Sequence, residues 1–368
     1  MKNHNLILFY PSFERGGVER IIQNLIENNK KFKIHLISSK NALKFIDKKK
    51  FKFNFIEVTQ KIKIPFLPER FSSAINGMII LFNYLNNNKD NYLIHSMQSN
   101  VAAIITGMLK QKKIIIRNSE NPIYSILYSE NKFFSIISAI LKYIFYNFAD
   151  AIITNSYGSG KSLEFFVFNK KKIKPIYNPY LRKINKRTFK KKNYLITIGR
   201  LRKQKDQKTL IEAFKIFLEK NQSYKLIILG HGNLEKKLKE QTKNLNISNK
   251  IIFKGWVKNT NAYLKHSKIF VLSSVYEGLG NVLIDAVNYN IPCVSTDCPS
   301  GPREILLNGK GGYLVKPGSP IQLAEKIQYS IDNYSNSIKK NLIAKKKIDR
   351  FLISKQTKKY FDYLSKFY

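Results

Sequence analysis

Short apolar runs rich in Ile, Leu, Phe and Val recur along this 368-residue chain, and most are followed by a stretch with helical periodicity. In the first half the runs are NLILFY (5–10), KIHLIS (33–38), FNFIEV (53–58), YLIH (92–95), KIIIR (113–117) and DAIIT (150–154). Helical patterns fall at roughly 18–28, 69–86, 99–110, 131–148 and 157–167. A strongly charged segment almost without apolar residues, KINKRTFKKKN (183–193), then interrupts the pattern. Beyond it the alternation restarts: strands at 194–199, 225–230, 250–255, 268–274 and 292–296, helices at 206–220, 233–245 and 280–290, and a helical tail from about 319. Runs this short that alternate with helices imply parallel sheets covered on both faces. The expected fold class is α/β, with two Rossmann-like doubly wound domains, 1–182 and 194–368, joined by a linker at 183–193. In such folds ligands bind outside the carboxyl ends of the strands, and a cleft between two domains is the natural site.

The longest apolar runs are broken by Lys, Asn or Tyr well before the ~18–20 residues that a membrane span needs. The opening MKNHNLILFYPSFERGG lacks a small-residue cleavage site. Two cysteines, Cys293 and Cys298, cannot build a disulfide framework or a four-ligand zinc site. These features disfavour a secreted disulfide protein and a membrane-spanning one, leaving a cytoplasmic protein. The formal net charge of +41 draws anions, although much of it can be solvated surface. Only ten of the 65 cationic residues are arginine, so each arginine carries more information, because its guanidinium binds phosphate bidentately.

Two motif-like strings fail on inspection. YGSGKS (157–162) ends like a P-loop, but the required first glycine falls on Asn155. LGHGNLE (229–235) starts like a dinucleotide fingerprint, but its third glycine falls on Glu235. There is no Asp-x-Asp pair and no His/Cys cluster with metal-ligand spacing, so no metal or cofactor is expected. Charge on a bound diphosphate would then be met by Arg, Lys and helix N-termini. No RNA- or DNA-binding module is recognisable, and no nucleic acid is expected as a partner.

Three segments carry chemistry. In ERGGVER (14–20), Gly16 and Gly17 let the backbone approach a ligand at the start of a helix. In GRLRKQKD (199–206), Gly199 frees the end of a strand, and Arg200 and Lys205 can address one anion from the same loop. In SSVYEGLGNVLIDAV (273–287), a Gly-rich loop presents Glu277 ahead of a helix starting near Gly280 or Asn281, and Asp285 follows about two turns later. A carboxylate there can accept hydrogen bonds from a vicinal diol such as ribose.

Together these segments resemble glycosyltransferase family 4, whose members have the GT-B fold of two facing Rossmann-like domains. The resemblance implies transfer of a sugar from a nucleotide diphosphate sugar, most simply a UDP-sugar, with retention of configuration and without an essential metal. It assigns the donor to the C-terminal domain and the acceptor mainly to the N-terminal one. Gly16 and Gly17 would approach the donor diphosphate, and Arg200 and Lys205 would neutralise it. Glu277 would be the first acid of the Glu-x7-Glu motif, and Asp285 stands where the second Glu contacts ribose, one methylene shorter. Gly278, Leu279, Gly280 and Asn281 would offer backbone amides, and His95 resembles the histidine beside the transferred sugar. SGPREIL, with Pro302, Arg303 and Glu304, resembles the subgroup that extends lipid-linked oligosaccharides or bacterial surface polysaccharides. The acceptor would be a glycan or a polyprenyl-diphosphate-linked sugar.

FFSIISAILKYIFYNF (133–148) could press into an anionic membrane, or simply pack ahead of strand 150–154. KIKIPFLPERF (61–71) is a candidate acceptor-side loop. The expected location is the cytoplasm, with peripheral attachment to the inner membrane. Three other readings fit parts of the sequence: a UDP-sugar 2-epimerase of the same architecture, a non-catalytic nucleotide-sugar binder, and a nucleic-acid binder suggested by charge alone.

Overall fold

A computed structural model describes residues 4–13, 16–62, 65 and 68–368. Internal contacts divide the chain into two units, Met1–Asn155 with Ser159–Tyr180 and Phe351–Tyr368, and Ser156–Gly158 with Leu181–Arg350.

In the first unit the order is β1 (His4–Tyr10), α1 (Gly17–Glu27), β2 (Phe32–Ser38), β3 (Asn54–Glu57), α2 (Glu69–Asn87), β4 (Tyr92–Ser96), α3 (Asn100–Leu109) and β5 (Ile114–Asn118). There follow α4 (Pro122–Leu127), α5 (Lys132–Phe145), β6 (Ala151–Thr154), α6 (Tyr157–Leu163) and β7 (Ile173–Pro175). The seven strands form an all-parallel sheet in the order β3-β2-β1-β4-β5-β6-β7. The apolar run of β1 explains its central place. Leu6, Leu8 and Tyr10 enter the core on one face, and Ile7 and Phe9 enter the core on the other. A strand buried on both sides has no polar face, which is why it reads as a continuous apolar run.

In the second unit β8 (Lys192–Ile198), α7 (Gln207–Leu218), β9 (Lys225–Leu229), α8 (Glu235–Asn244) and β10 (Ile251–Gly255) are followed by α9 (Asn261–Leu264), β11 (Ser267–Leu272) and α10 (Asn281–Asn288). Next come β12 (Cys293–Thr296), α11 (Pro302–Ile305), β13 (Tyr313–Val315), α12 (Pro320–Asp332) and α13 (Tyr334–Lys345). Its sheet is also all parallel, in the order β10-β9-β8-β11-β12-β13. In both sheets the order reverses beside the unit's first strand, between β1 and β4 and between β8 and β11.

The α/β class and the doubly wound character match the sequence expectation, but the boundaries differ. The last helix, α14 (Ile353–Leu364), was expected in the C-terminal domain and instead belongs to the first unit. Tyr360, Phe361 and Leu364 lie in the core that also holds β1, and the Tyr368 hydroxyl donates to the Asn5 carbonyl. Each such buried side chain favours the packed state by about 1.5–3 kcal/mol, which outweighs proximity in sequence. The charged stretch 183–193 is likewise no free linker. Asn185 N donates to Asn288 Oδ1 (2.8 Å), Asn288 Nδ2 to the Lys183 carbonyl (3.2 Å), and Lys191 Nζ to the carbonyls of Lys265 (3.1 Å) and Tyr289 (3.3 Å). The strands β7 and β13 had no signal, being three-residue edge strands, one of which ends in proline.

Candidate active site

The residues of the second unit singled out in the sequence cluster at the carboxyl ends of β8 and β11, the point where the strand order reverses. After β8 the chain runs through Gly199 and Arg200 into a short 3-10 turn, Lys203–Lys205. Asp206, in the left-handed region at φ 44°, then caps α7 by accepting from Thr209 N (3.3 Å). The first turn of α7 is therefore already served by a carboxylate, whose proton affinity burial raises. An anion at this loop would be met by its side-chain cations, Arg200 and Lys205 together with the exposed Arg202 and Lys203. Arg200 is exposed, and among the described residues its guanidinium has no protein acceptor.

The loop after β11 is tied to this one by backbone and side-chain bonds. Val275 N donates to the Gln204 carbonyl (2.9 Å), Gln204 Nε2 to the Tyr276 carbonyl (3.1 Å), and Ser273 Oγ to the Lys205 carbonyl (2.8 Å). Lys205 Nζ is thereby brought onto Glu277 Oε1 as an ion pair. Glu277 is only 5% exposed, and Ser274 Oγ donates to the same oxygen at 2.7 Å. Among the described residues nothing donates to its second oxygen, Oε2. The Glu277 amide donates to the Pro299 carbonyl (3.2 Å), which holds the 297–301 loop against the acid. Cys298 lies close enough for its thiol pKa to be pushed up, first by burial and then by the Glu277 charge.

Gly278, Leu279 and Gly280 are buried, Gly280 forms the left-handed start of α10, and Asn281 opens the helix half-buried. Ser156 Oγ, which groups with this unit, donates to the Gly278 carbonyl at 2.6 Å. Asp285 is half-buried on α10, and its charge adds to burial in raising the Tyr289 hydroxyl. The sequence-selected Gly199, Arg200, Lys205, Glu277, Gly278, Leu279, Gly280, Asn281 and Asp285 thus all fall on two neighbouring strand ends and the helix that follows the second.

The two expectations in the first unit fare differently. His95 is fully buried, with Nδ1 3.0 Å from the Ile115 carbonyl and Nε2 2.7 Å from the Tyr360 hydroxyl. Burial, with a smaller contribution from the Arg117 cation, lowers its pKa to about 3. Both ring nitrogens are engaged inside the core, so His95 is corrected here from a sugar-facing group to a neutral structural one. Gly16 and Gly17 do stand at the start of α1, but Glu19 from the first turn folds back over it. A Cβ on Gly16 would lie 2.7 Å from Glu19 Oε2, while Oε1 accepts from the Tyr10 hydroxyl at 2.8 Å. The helix start expected to meet a diphosphate already faces a carboxylate. Glu14 and Arg15 of the same motif lie outside the described residues, as do Lys63, Ile64, Phe66 and Leu67 of the proposed acceptor loop.

Sequence reasoning missed Ser274, although the Ser-x-x-Glu spacing (274–277) is the pattern of a serine reaching a carboxylate one turn on. It also missed Arg117, 2% exposed, which donates to the Tyr360 hydroxyl (3.0 Å) and Ser119 Oγ (3.1 Å). The Glu304 of SGPREIL accepts from the amides of Tyr157 (3.0 Å) and Gly158 (2.8 Å), so a carboxylate already stands at the helix start of the P-loop-like string. Among the described residues no group of three or more His, Cys, Asp or Glu could hold a metal ion.

Two all-parallel doubly wound α/β units are the architecture of the GT-B fold. Residues 182–349 match the family described as glycosyl transferases group 1. The chain is 39% identical over 263 residues to an uncharacterized glycosyltransferase of Methanocaldococcus jannaschii, a match covering 62% of this chain and 64% of that one. Over 96% of its length it is 26% identical to a Campylobacter jejuni N-acetylgalactosaminyltransferase acting on an N-acetylgalactosamine-N,N'-diacetylbacillosaminyl-diphospho-undecaprenol, 98% of which is covered. Among solved structures, Anabaena HepE in complex with UDP and glucose superposes with a TM-score of 0.79 at 16% identity, covering 99% of this chain and all of that one. The lipopolysaccharide outer core galactosyltransferase WaaB, in its apo form, superposes at 0.72 and 20% identity, covering 99% of each chain. At these identities the two structures speak for the fold.

Proposed function

We propose that this glycosyltransferase moves a hexosyl or N-acetylhexosaminyl group from a UDP-sugar to a lipid-linked sugar or surface glycan of a bacterial type, with retention of configuration and without a metal. The carrying observation is the Lys205–Glu277 pair beside the exposed Arg200, at the reversal point of the second sheet. Two cations at one strand end suit a diphosphate, and an acid with one unengaged oxygen suits a sugar hydroxyl. UDP is the nucleotide in the HepE complex, and a diphospho-undecaprenol sugar is the acceptor in the Campylobacter relative's name, which supports both substrate classes.

In the proposed reaction the bond from the anomeric carbon to the diphosphate oxygen breaks as positive charge builds on the sugar. The acceptor oxygen bonds to that carbon from the same face, and its proton passes to the departing phosphate oxygen. Arg200 and Lys205 stabilise the leaving UDP, Glu277 orients the sugar, and Asp285 accepts from the ribose. Preorganised donors at a developing negative charge contribute several kcal/mol to lowering a barrier. The acceptor falls to the first unit. An epimerase of the same architecture would form product from UDP-sugar alone. Incubating purified protein with UDP-sugars, with and without a polyprenyl-diphosphate-linked sugar, tests the reading: product must require the acceptor, and its new linkage must keep the donor's anomeric configuration.

Attachment to the cytoplasmic face of an anionic membrane belongs to the same reading. Among the described residues no helix is long and apolar enough to cross a membrane. In α5, however, the buried residue is Ser135, while Phe133, Ile136, Ile140, Tyr143 and Ile144 are exposed. That apolar stripe at helical spacing faces outward, the arrangement of a helix lying in a lipid interface. Flotation with anionic vesicles checks it, and failure to bind at low salt would contradict it.

A further inference from the structure

The segment FFVFNKKK (165–172), between α6 and β7, extends the α5 surface. Its aromatic residues divide sharply. Phe166 and Val167 are buried in the core of the first unit, whereas Phe165 and Phe168 are 73% and 71% exposed. They exceed every other exposed large apolar side chain among the described residues. The exposed rings are held there by a built turn: Phe168 N donates to Asn147 Oδ1 (2.8 Å), Asn147 Nδ2 donates to the Phe166 carbonyl (3.2 Å), and Lys172 Nζ donates to the Asn147 carbonyl (2.8 Å). The Phe168 ring meets that of Tyr143 edge-on at 5.5 Å, joining the turn to the outward stripe of α5.

We infer that Phe165 and Phe168, with Lys170 and Lys171, form a second anchor that docks with α5 as one face on an anionic lipid surface. The inference rests on the peripheral attachment proposed above and names its unassigned half. Charge decides the occupant. Between 157 and 174 the chain carries Lys161, Lys170, Lys171, Lys172 and Lys174 against the single acid Glu164, and 131–148 carries no acid at all. Aromatic tips flanked by lysines match the apolar interior and phosphate headgroups of a lipid leaflet. A neutral protein surface would offer the lysines nothing.

The test is co-flotation of the full chain with vesicles of phosphatidylcholine alone or with roughly 30% phosphatidylglycerol, a charge density that draws nearby lysines to the surface. Compared are wild type, Phe165→Ser/Phe168→Ser, Ile140→Ser/Ile144→Ser and, as an exposed apolar control in the second unit, Ile216→Ser. Expected is binding that needs phosphatidylglycerol, falls with salt, drops about tenfold or more in either double variant and is unchanged in the control. Both double variants should still transfer sugar to a short water-soluble acceptor. If the double phenylalanine variant unfolds, Lys170→Gln/Lys171→Gln carries the test, with weaker binding and a shallower salt dependence expected. Full binding by the phenylalanine variant (or, if that variant unfolds, by the lysine one), with binding lost in the α5 variant, overturns the second anchor and leaves peripheral attachment standing. No flotation of wild type on any vesicle overturns both. Equal binding to neutral vesicles, or a dimer that the phenylalanine variant splits, overturns the anionic lipid as occupant.

Discussion

Lys205 and Glu277, 72 residues apart in sequence, meet as a nearly buried ion pair because their loops leave adjacent parallel strands, β8 and β11. Lys205 Nζ and Ser274 Oγ converge on Oε1 of the acid, which orients Oε2 away from the protein's own donors. Breaking a buried pair from one side leaves an uncompensated charge, commonly a loss of 3–5 kcal/mol. Lys205→Met should therefore lower the urea midpoint of the second unit markedly. Lys205→Met/Glu277→Gln should recover most of that stability without recovering transfer. If activity returned with stability, the pair would be structural only.

Ser274→Ala removes one of the two donors on Oε1. A lost buried hydrogen bond of this kind amounts to about 1–3 kcal/mol. We expect kcat to fall while the affinity for UDP alone stays within about twofold, a difference well below the ~1.4 kcal/mol that a tenfold change represents. Ser274→Thr should restore most of the loss. Equal weakening of UDP binding would instead mean that the loop as a whole had collapsed.

Arg200 is exposed and its side chain holds no other part of the fold, so Arg200→Ala should leave the melting temperature unchanged. Removing a preorganised donor from a developing oxyanion costs about 10²–10³ in kcat. Steady-state transfer kinetics read this directly, and undiminished transfer would remove Arg200 from the site.

The doubly wound halves were legible because every long central strand, such as LILFY and LIIL, is apolar on both faces, and because Gly199 and Gly280 punctuate the strand-to-helix turns. The clustering of the second unit's candidate residues was legible for the same reason: they sit immediately after those strands. What the sequence did not reveal depends on contacts distant along the chain. His95 looks like a strand-end functional histidine, and its enclosure by Tyr360 comes from a helix 265 residues later. Gly16 looks like a phosphate-approach glycine, and its role in admitting the Glu19 carboxylate depends on a side-chain rotamer no pattern encodes.

A glycine discarded with a false fingerprint carries a further expectation. Gly230 sits at φ +140°, and a Cβ there would stand 1.9 Å from the Gly199 carbonyl oxygen. Gly230→Ala must displace the loop that carries Arg200 and Lys205. Donor KM should rise and stability should fall together, readable in one kinetic and one thermal series; unchanged KM would contradict this coupling.

The buried histidines set a pH response for the first unit. Burial lowers His95 to about 3 and His35 to about 4, against 6.5 for the unperturbed group. Below about pH 6.5 the unfolded chain binds protons that the folded chain refuses. Stability is therefore complete above that pH and falls as pH drops toward 4 and then 3, by up to about 1.4 kcal/mol per pH unit for each histidine. Urea titrations at pH 7 and pH 5 check the sign. The pH–rate profile should show no limb from His95, since its imidazole stays neutral throughout the working range.

The most direct test of the account is nucleotide-sugar binding followed by thermal shift, in wild type and in Arg200→Ala/Lys205→Ala. A ligand held by the folded state alone stabilises it by about 2.7 kcal/mol at a hundredfold excess over its Kd. The account predicts a rise of several degrees in wild type with a UDP-sugar, in the presence of excess chelator, and its near disappearance in the double variant. A shift that needs magnesium, or one that survives intact without both cations, would contradict it.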